Sequence, residues 1–238
     1  MNSGKDEKLS SYFEQAKKGI EDITPDVRPL DLGTYGLTLA YPDNTVRKVL
    51  FTHPDEPLLQ FMADDGFKRE ITALRVLSGS AASGFTPALI EEPQELDHAS
   101  GFMGTFKMTR LTGTTIAWYR SDINNENPEP RFQAMAHSAG VLLARFHNAA
   151  EQSDSILQPS PGMENQFGHD IKTHPAFGKS TNAALRKIDD HLQCHKIIGT
   201  VHGDFHGGNL IVNDEGQATG LIDFARTTSQ ANIYFDFS

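Results

Sequence analysis

The run 200–212, TVHGDFHGGNLIV, decides how the chain is read. It sets Asp204, His206 and Asn209 between two short apolar runs, and GLIDFAR at 220–226 then places Asp223 inside another. Asp204 stands in a glycine-flanked loop. Asn209 comes five positions later, at the start of an apolar strand, and Asp223 fourteen further on, after the turn NDEGQ. If the two strands pair through that turn, Asn209 and Asp223 meet at the open end of a hairpin. An amide oxygen and a carboxylate converging there suit a hard cation such as Mg²⁺, which takes oxygen ligands and keeps waters and substrate phosphates. Asp204 nearby is placed to accept a proton from a hydroxyl or to orient it. Phosphoryl transfer needs those parts. Taken singly, each residue reads as ordinary turn chemistry. The set, at this spacing, carries the argument.

Composition bounds the rest. A chain of 238 residues exceeds a typical single domain but falls short of two large ones, so one two-lobed domain is expected. Hydrophobic residues make up 38%, enough for a core. The one cysteine, Cys194, excludes an internal disulfide framework and suits a reducing compartment. No apolar run approaches the length of a membrane span, and the charged N-terminus has no apolar segment of the secretory type. A soluble cytoplasmic protein is expected. The net charge of −10 argues against broad nucleic-acid binding. It is compatible with a cationic small substrate, although acidic totals mostly serve solubility.

Along the chain, residues 6–22 read as a polar amphipathic helix ending near Gly19. PLDLGTYGLTLAYPDNTVRKVLFTH alternates and breaks at Pro42-Asp43-Asn44, which reads as a hairpin. DDGFKREITALRVL has helical periodicity. PALIEEPQEL and GFMGTFKMTRLTG read as two more strands. In the second half, Phe132, Met135, Ala136, Ala139, Leu142, Leu143 and Phe146 fall on one helical stripe. A proline- and glycine-containing stretch over 153–179 follows, then a helix in TNAALRKIDDHLQ and the strands around the opening motif. His191 and His195 flank Cys194, but no second ligand pair at finger spacing accompanies them, so zinc is not expected there.

HGDFHGGN followed by LIDF resembles the catalytic and metal loops of the aminoglycoside phosphotransferase and choline kinase-like family, relatives of the protein kinases. The family pattern is His-Gly-Asp, a His two residues after that Asp, an Asn five after it, and an Ile-Asp-Phe strand. All occur here, with Gly207 where the family often has Pro. The resemblance runs from about Leu30 to the end. It implies an α+β, two-lobed protein-kinase-like fold, with a β-rich nucleotide-binding lobe over 1–110 and a mainly helical catalytic lobe over 111–238. It implies a kinase that moves the γ-phosphate of ATP or GTP to a hydroxyl of an aminoglycoside, amino alcohol or sugar-like acceptor. A lipopolysaccharide-sugar or protein kinase, or a silent nucleotide-binding scaffold, are the alternatives. Asp204 would be the catalytic base or hydroxyl-orienting carboxylate, and Asn209 and Asp223 would hold Mg²⁺. His206 would sit near the transferred phosphate, though a structural role reads equally well. His202 would brace the loop, His147 would pack, and Asp236 would support the catalytic loop. Family members continue past the position of Ser238 with helices that help build the acceptor site, so those helices are expected to be missing or short here.

The first half supplies the matching nucleotide elements. Gly33 and Gly36 lie in LGTYGLTLAY, where a phosphate-covering hairpin or a simple turn both fit. Val46, Lys48 and Leu50 share one strand face by alternation, and Arg47 faces the other way and is the alternative cation. Glu70 falls with Phe67, Ile71, Leu74 and Leu77 on one helical side. A carboxylate on an apolar stripe is costly unless paired, so Lys48 is its expected partner, against a Glu reaching solvent at the stripe's edge. Residues 106–113 would join the lobes and meet the base, with Met108 at the back of the nucleotide pocket or simply in the core.

Overall fold

A computed structural model describes residues 3–116, 129–151, 198–232 and 236. The alternating segment after residue 28 folds as three strands rather than one hairpin: β1 (Arg28–Leu32), β2 (Gly36–Ala40) and β3 (Thr45–Phe51). Two turns make the difference. In the first, Gly33 N donates to Gly36 O at 2.9 Å. In the second, Asn44 adopts φ 60°, and Asp43 Oδ1 accepts from Thr45 N at 3.1 Å. Asn tolerates that left-handed conformation and Asp mimics a backbone turn, which is why the break falls there. β4 (Gln94–Glu95) and β5 (Phe102–Thr109) complete an antiparallel sheet in the order β1-β2-β3-β5-β4. The strand expected in PALIEEPQEL shrinks to those two residues and an isolated bridge between Leu89 and Met108. Pro87 and Pro93 bring no N–H to a ladder, so the run follows β5 only irregularly.

Both faces of β3 are buried. One face is covered by α1 (Ser3–Gly19), through Tyr12, Phe13, Ala16 and the following Ile20 against Leu37, Leu39, Val49 and Phe51. The other is covered by α2 (Pro57–Ser78), which starts with Pro at its first turn and buries Ala63, Glu70, Ile71, Ala73, Leu74, Val76 and Leu77. This apolar side is the stripe read from the sequence, with Glu70 inside it.

Past β5 the chain enters a second sheet. β6 (Thr114–Thr115), β8 (Leu210–Val212) and β9 (Ala218–Leu221) form three antiparallel strands, and β7 (Ile198–Val201) pairs with β10 (Thr228–Asn232). α3 (Glu129–Glu151) buries Met135, Ala139, Leu142, Leu143 and Phe146 as its stripe requires, whereas Ala136 is exposed. Among the described residues of this half, α3 is the one α-helix longer than the single helical residue Ile116. The expected helix over 181–193, the stretch over 153–179, the Phe132 side chain and Cys194 with its flanking histidines lie outside the described residues. A single core cluster runs from β3 and β5 through α2 to α3 and the β8–β9 hairpin. Leu74, Leu77, Phe106, Leu143 and Phe146 are fully buried in it, each worth about 1.5–3 kcal/mol. No described helix is long and apolar enough to cross a membrane.

Candidate active site

The packing that buries Glu70 also settles which cation meets it. Lys48 Nζ lies 2.7 Å from Glu70 Oε2 and 2.9 Å from Oε1. The same ammonium lies 3.0 Å from Asp223 Oδ1, so a residue 175 positions away closes a three-group cluster. Burial pushes the Glu70 carboxyl up to about 7, against the pull of Lys48. Burial also opposes the Lys48 charge, but the Glu70 and Asp223 carboxylates together outweigh it and hold the ammonium above the ordinary lysine range. Lys48 holds the Asp223 carboxyl below its ordinary value. Asp223 sits at φ 65°, a left-handed conformation that Asp tolerates better than most side chains.

The loop 202–209 is braced from below. Asp236 accepts from His202 N and Gly203 N, each at 2.8 Å, and lies 2.9 Å from His147 Nε2 of α3. His202 is fully buried, its Nε2 3.0 Å from Ile222 O, and Asp204 N donates to its Nδ1 at 3.3 Å. Burial holds its imidazole below the ordinary histidine value. Gly203 takes φ 78°, which lets the chain turn sharply into Asp204. The bracing expected of His202 and Asp236 is what these contacts provide, and His147, expected only to pack, joins them through Asp236. Asp204 itself reaches the surface, one-third exposed beside His206. Gly207 leaves room for Ile116: a Cβ there would sit 3.2 Å from two Ile116 carbons. That approach explains why a side chain is absent where the family often has Pro.

The β8–β9 hairpin brings Asn209 and Asp223 to its open end, through Leu210 opposite Leu221 and Ile222 N donating to Asn209 O at 3.0 Å. Asn209 Nδ2 donates to Asp204 O at 2.9 Å and to Asp204 Oδ2 at 3.2 Å. Both partners are acceptors, so the NH₂ must face them and Oδ1 is turned away. No group of three His, Cys, Asp or Glu able to hold a metal occurs among the described residues. An amide oxygen and one carboxylate nevertheless fit a cation that keeps waters and binds phosphate oxygens.

The remaining expected residues divide. Gly33 and Gly36 flank the β1–β2 turn, and a Cβ on Gly36 would lie 2.6 Å from Val49 O, so that glycine is fixed by strand packing. Met108 is buried opposite Val46 in the β3–β5 register. Arg47, the alternative cation, is buried on the α1 face and bound to Asp22 and Glu91. Arg226 was not legible as a site residue, yet its Nη1 comes within 4.0 Å of Asp204 Oδ1. Its position three residues after Asp223 is the one signal for it. Cavities of about 460 Å³ behind α2 and about 450 Å³ beside Arg47 contain none of Asp204, Asn209 or Asp223. The candidate site therefore rests on how its residues converge.

A family model described as the phosphotransferase enzyme family matches residues 43–237. The chain belongs to that family. As a phosphotransferase it is a kinase with an alcohol group as acceptor. Solved structures share its fold at low identity. The streptomycin–ATP ternary complex of APH(2")-IIa is 18% identical with a TM-score of 0.56, covering 96% of this chain and 74% of that one. The GDP complex of wild-type aminoglycoside 2'-phosphotransferase-IIIa is 16% identical with a TM-score of 0.61, covering 96% and 76%. Macrolide 2'-phosphotransferase MphH from Brachybacterium faecium is 14% identical with a TM-score of 0.54, covering 97% and 76%. These likenesses carry the α+β, two-lobed kinase-like fold. No curated protein sequence matches the phosphotransferase described here.

Proposed function

We propose that this phosphotransferase moves the γ-phosphate of ATP or GTP to a hydroxyl of an aminoglycoside, amino alcohol or sugar-like acceptor in the cytoplasm. The carrying observation is that the mouth of the β8–β9 hairpin sets Asn209, tied to Asp204, beside the Ile222–Asp223 segment, whose Asp223 meets Lys48 and Glu70 of the five-stranded lobe. Lobe 1–110 would hold the nucleotide: Gly33 and Gly36 over its phosphates, Lys48 on them with Glu70 fixing the lysine, and Met108 behind the base. Lobe 111–238 would supply the chemistry. Asp204 accepts the acceptor's hydroxyl proton as its oxygen attacks phosphorus, and His206 stands beside it. Asn209 Oδ1 and Asp223 would hold Mg²⁺, which neutralises charge on phosphate oxygens when bound. Solved relatives captured with ATP and with GDP support either donor, and those with streptomycin or kanamycin support a cationic acceptor. The net charge of −10 is compatible with the same acceptor class. The filled Lys48–Glu70–Asp223 cluster counts against a silent scaffold.

Thermal unfolding with ATP or GTP, each with and without Mg²⁺, tests the site. A ligand of the folded state stabilises by about 2.7 kcal/mol at a hundredfold excess over its dissociation constant. A Mg²⁺-dependent rise that disappears in Asp223→Ala is expected. Asp204→Asn should keep that rise and lose roughly 10²–10⁴-fold in turnover. Full turnover in a folded Asp204→Asn would overturn the mechanism.

A further inference from the structure

In the catalytic loop the ring of His206 lies on the backbone of Gly208, and nothing so far accounts for it. Gly208 N donates to His206 Nδ1 at 3.0 Å. A Cβ at position 208 would sit 2.7 Å from His206 Cε1 and 3.0 Å from Nδ1, closer than the ring can accept. Gly208 is not among the positive-φ glycines, so backbone conformation does not demand a glycine there. The ring does.

Counting hydrogens then fixes the tautomer. A neutral imidazole carries one N–H. Gly208 uses Nδ1 as an acceptor, so the hydrogen belongs on Nε2. The opposite arrangement would have Nε2 accept from Asn209 Nδ2, 3.4 Å away. Both amide hydrogens of Asn209 are already engaged, by Asp204 O at 2.9 Å and Asp204 Oδ2 at 3.2 Å. Nε2–H therefore faces Asp204, 3.6 Å from Oδ2. That is too long for a formed hydrogen bond and leaves the donor for another acceptor. His206 is 57% exposed, so solute reaches it.

We infer that Gly208 is a positioning residue that holds His206 as a single-tautomer N–H donor to the phosphoryl group in transfer, and that His206 is not a second base. The inference rests on Asp204 as proton acceptor. In the transfer, the acceptor oxygen forms its bond to the γ-phosphorus. The bond from that phosphorus to the β–γ bridging oxygen breaks, and its electron pair leaves with the nucleoside diphosphate. The hydroxyl proton passes to the Asp204 carboxylate. Negative charge lies on the equatorial oxygens throughout, which an N–H donor beside Asp204 stabilises. A base at His206 would need a bare Nε2, and the Gly208 contact denies it one.

The imidazole nitrogens of the intact chain report the tautomer directly by ¹⁵N–¹H correlation. The spectrum is taken near pH 8. A single Nε2–H form is expected in the wild type. In Gly208→Ala the exposed ring can swing aside, so the fold should survive while the single form gives way to a mixture. Its kcat should fall roughly tenfold to a hundredfold, with KM for the nucleotide little changed. His206→Gln, which keeps an N–H donor, should retain more turnover than His206→Ala. An Nδ1–H form in the wild type overturns the inference, as does Gly208→Ala with tautomer and turnover intact. A fixed Nε2–H ring with full turnover in His206→Ala overturns the donor role. If the wild type transfers no phosphate with any acceptor, the reading of the site has failed instead, and the spectrum alone decides the Gly208 contact.

Discussion

Lys48 and Arg47 are neighbours on β3, and each holds two carboxylates, yet they do different work. Arg47 faces α1 and is 4% exposed. Its Nη2 binds Asp22 Oδ2 at 2.7 Å and Glu91 Oε2 at 2.9 Å, and its Nε donates to Tyr41 Oη at 3.2 Å. Tyr41 in turn donates to Asp22 Oδ1 at 3.0 Å, and burial pushes its hydroxyl up to about 12. That network is closed: every partner serves to tie the segment after α1, and the segment before β4, to the sheet. Asp22 and Glu91 are 43% and 39% exposed, so water shares their charge. Lys48 faces α2 instead. Glu70 is 2% exposed, and Asp223 comes from the opposite sheet's hairpin. In the proposed function this cluster opens, Asp223 turning to a cation and Lys48 to a phosphate. One cation clamps the fold, and the other is the one proposed to meet a ligand.

The largest effect that would separate the two faces is on turnover. Lys48→Met should lower kcat/KM about a hundredfold or more, since the charge proposed to meet phosphate is gone. It also leaves Glu70 buried without a cation. Lys48 pulls the Glu70 carboxyl down to about 7. Without that pull the buried carboxyl keeps its proton to higher pH, so the variant goes on losing stability above the pH at which the wild type has stopped. The Tm deficit of Lys48→Met should therefore widen from pH 6 to pH 8. An equal deficit at both values would mean that Glu70 is not desolvated as the structure has it.

Glu70→Gln isolates the same group in the wild-type background. Its folded value of about 7 stands above the ordinary 4.5, so the native state holds the proton more tightly. The stability this gives is fully present below about 4.5 and is lost as pH rises through about 7. Lys48 is raised from an ordinary 10.5 and Asp223 lowered from 3.8, so neither titrates inside that window. The amide of Gln does not titrate. Wild-type Tm should fall relative to Glu70→Gln between these two values, read by calorimetry across pH, and parallel curves would refute it.

The sequence was legible where periodicity reports a face and spacing reports a loop. Alternation put Lys48 among apolar neighbours, and the 3.6-residue stripe put Glu70 among Ile71, Leu74 and Leu77. The distances Asp204–Asn209–Asp223 in sequence were enough to place a hairpin mouth. Partners were another matter. Periodicity assigned Arg47 to the opposite face but could not say that Asp22 and Glu91, 25 and 44 residues away, would meet it there. Arg226 was hidden for the same reason, since only the fold of the loop brings it toward Asp204. Pro87 and Pro93, both visible in the sequence, cut the expected strand to two residues. The contact of His206 with Gly208 depends on a ring orientation that no one-dimensional pattern encodes.

Arg47→Met tests the clamp with the smallest expected change, and in stability rather than activity. Removing one partner of a buried ion pair typically costs about 3–5 kcal/mol, because a charge is left stranded. Here the stranded carboxylates are two-fifths exposed and can be hydrated, so the discounted loss is about 1–2 kcal/mol. The methionine stem replaces most of the apolar contact, and Tyr41 keeps Asp22 as its acceptor. Turnover measured well below the melting transition should stay within about threefold, since β3 keeps its register with β2 and β5 through backbone bonds. A loss of turnover as deep as that of Lys48→Met would show that the α1 face sets the position of Lys48. The two sides of β3 would then be one device.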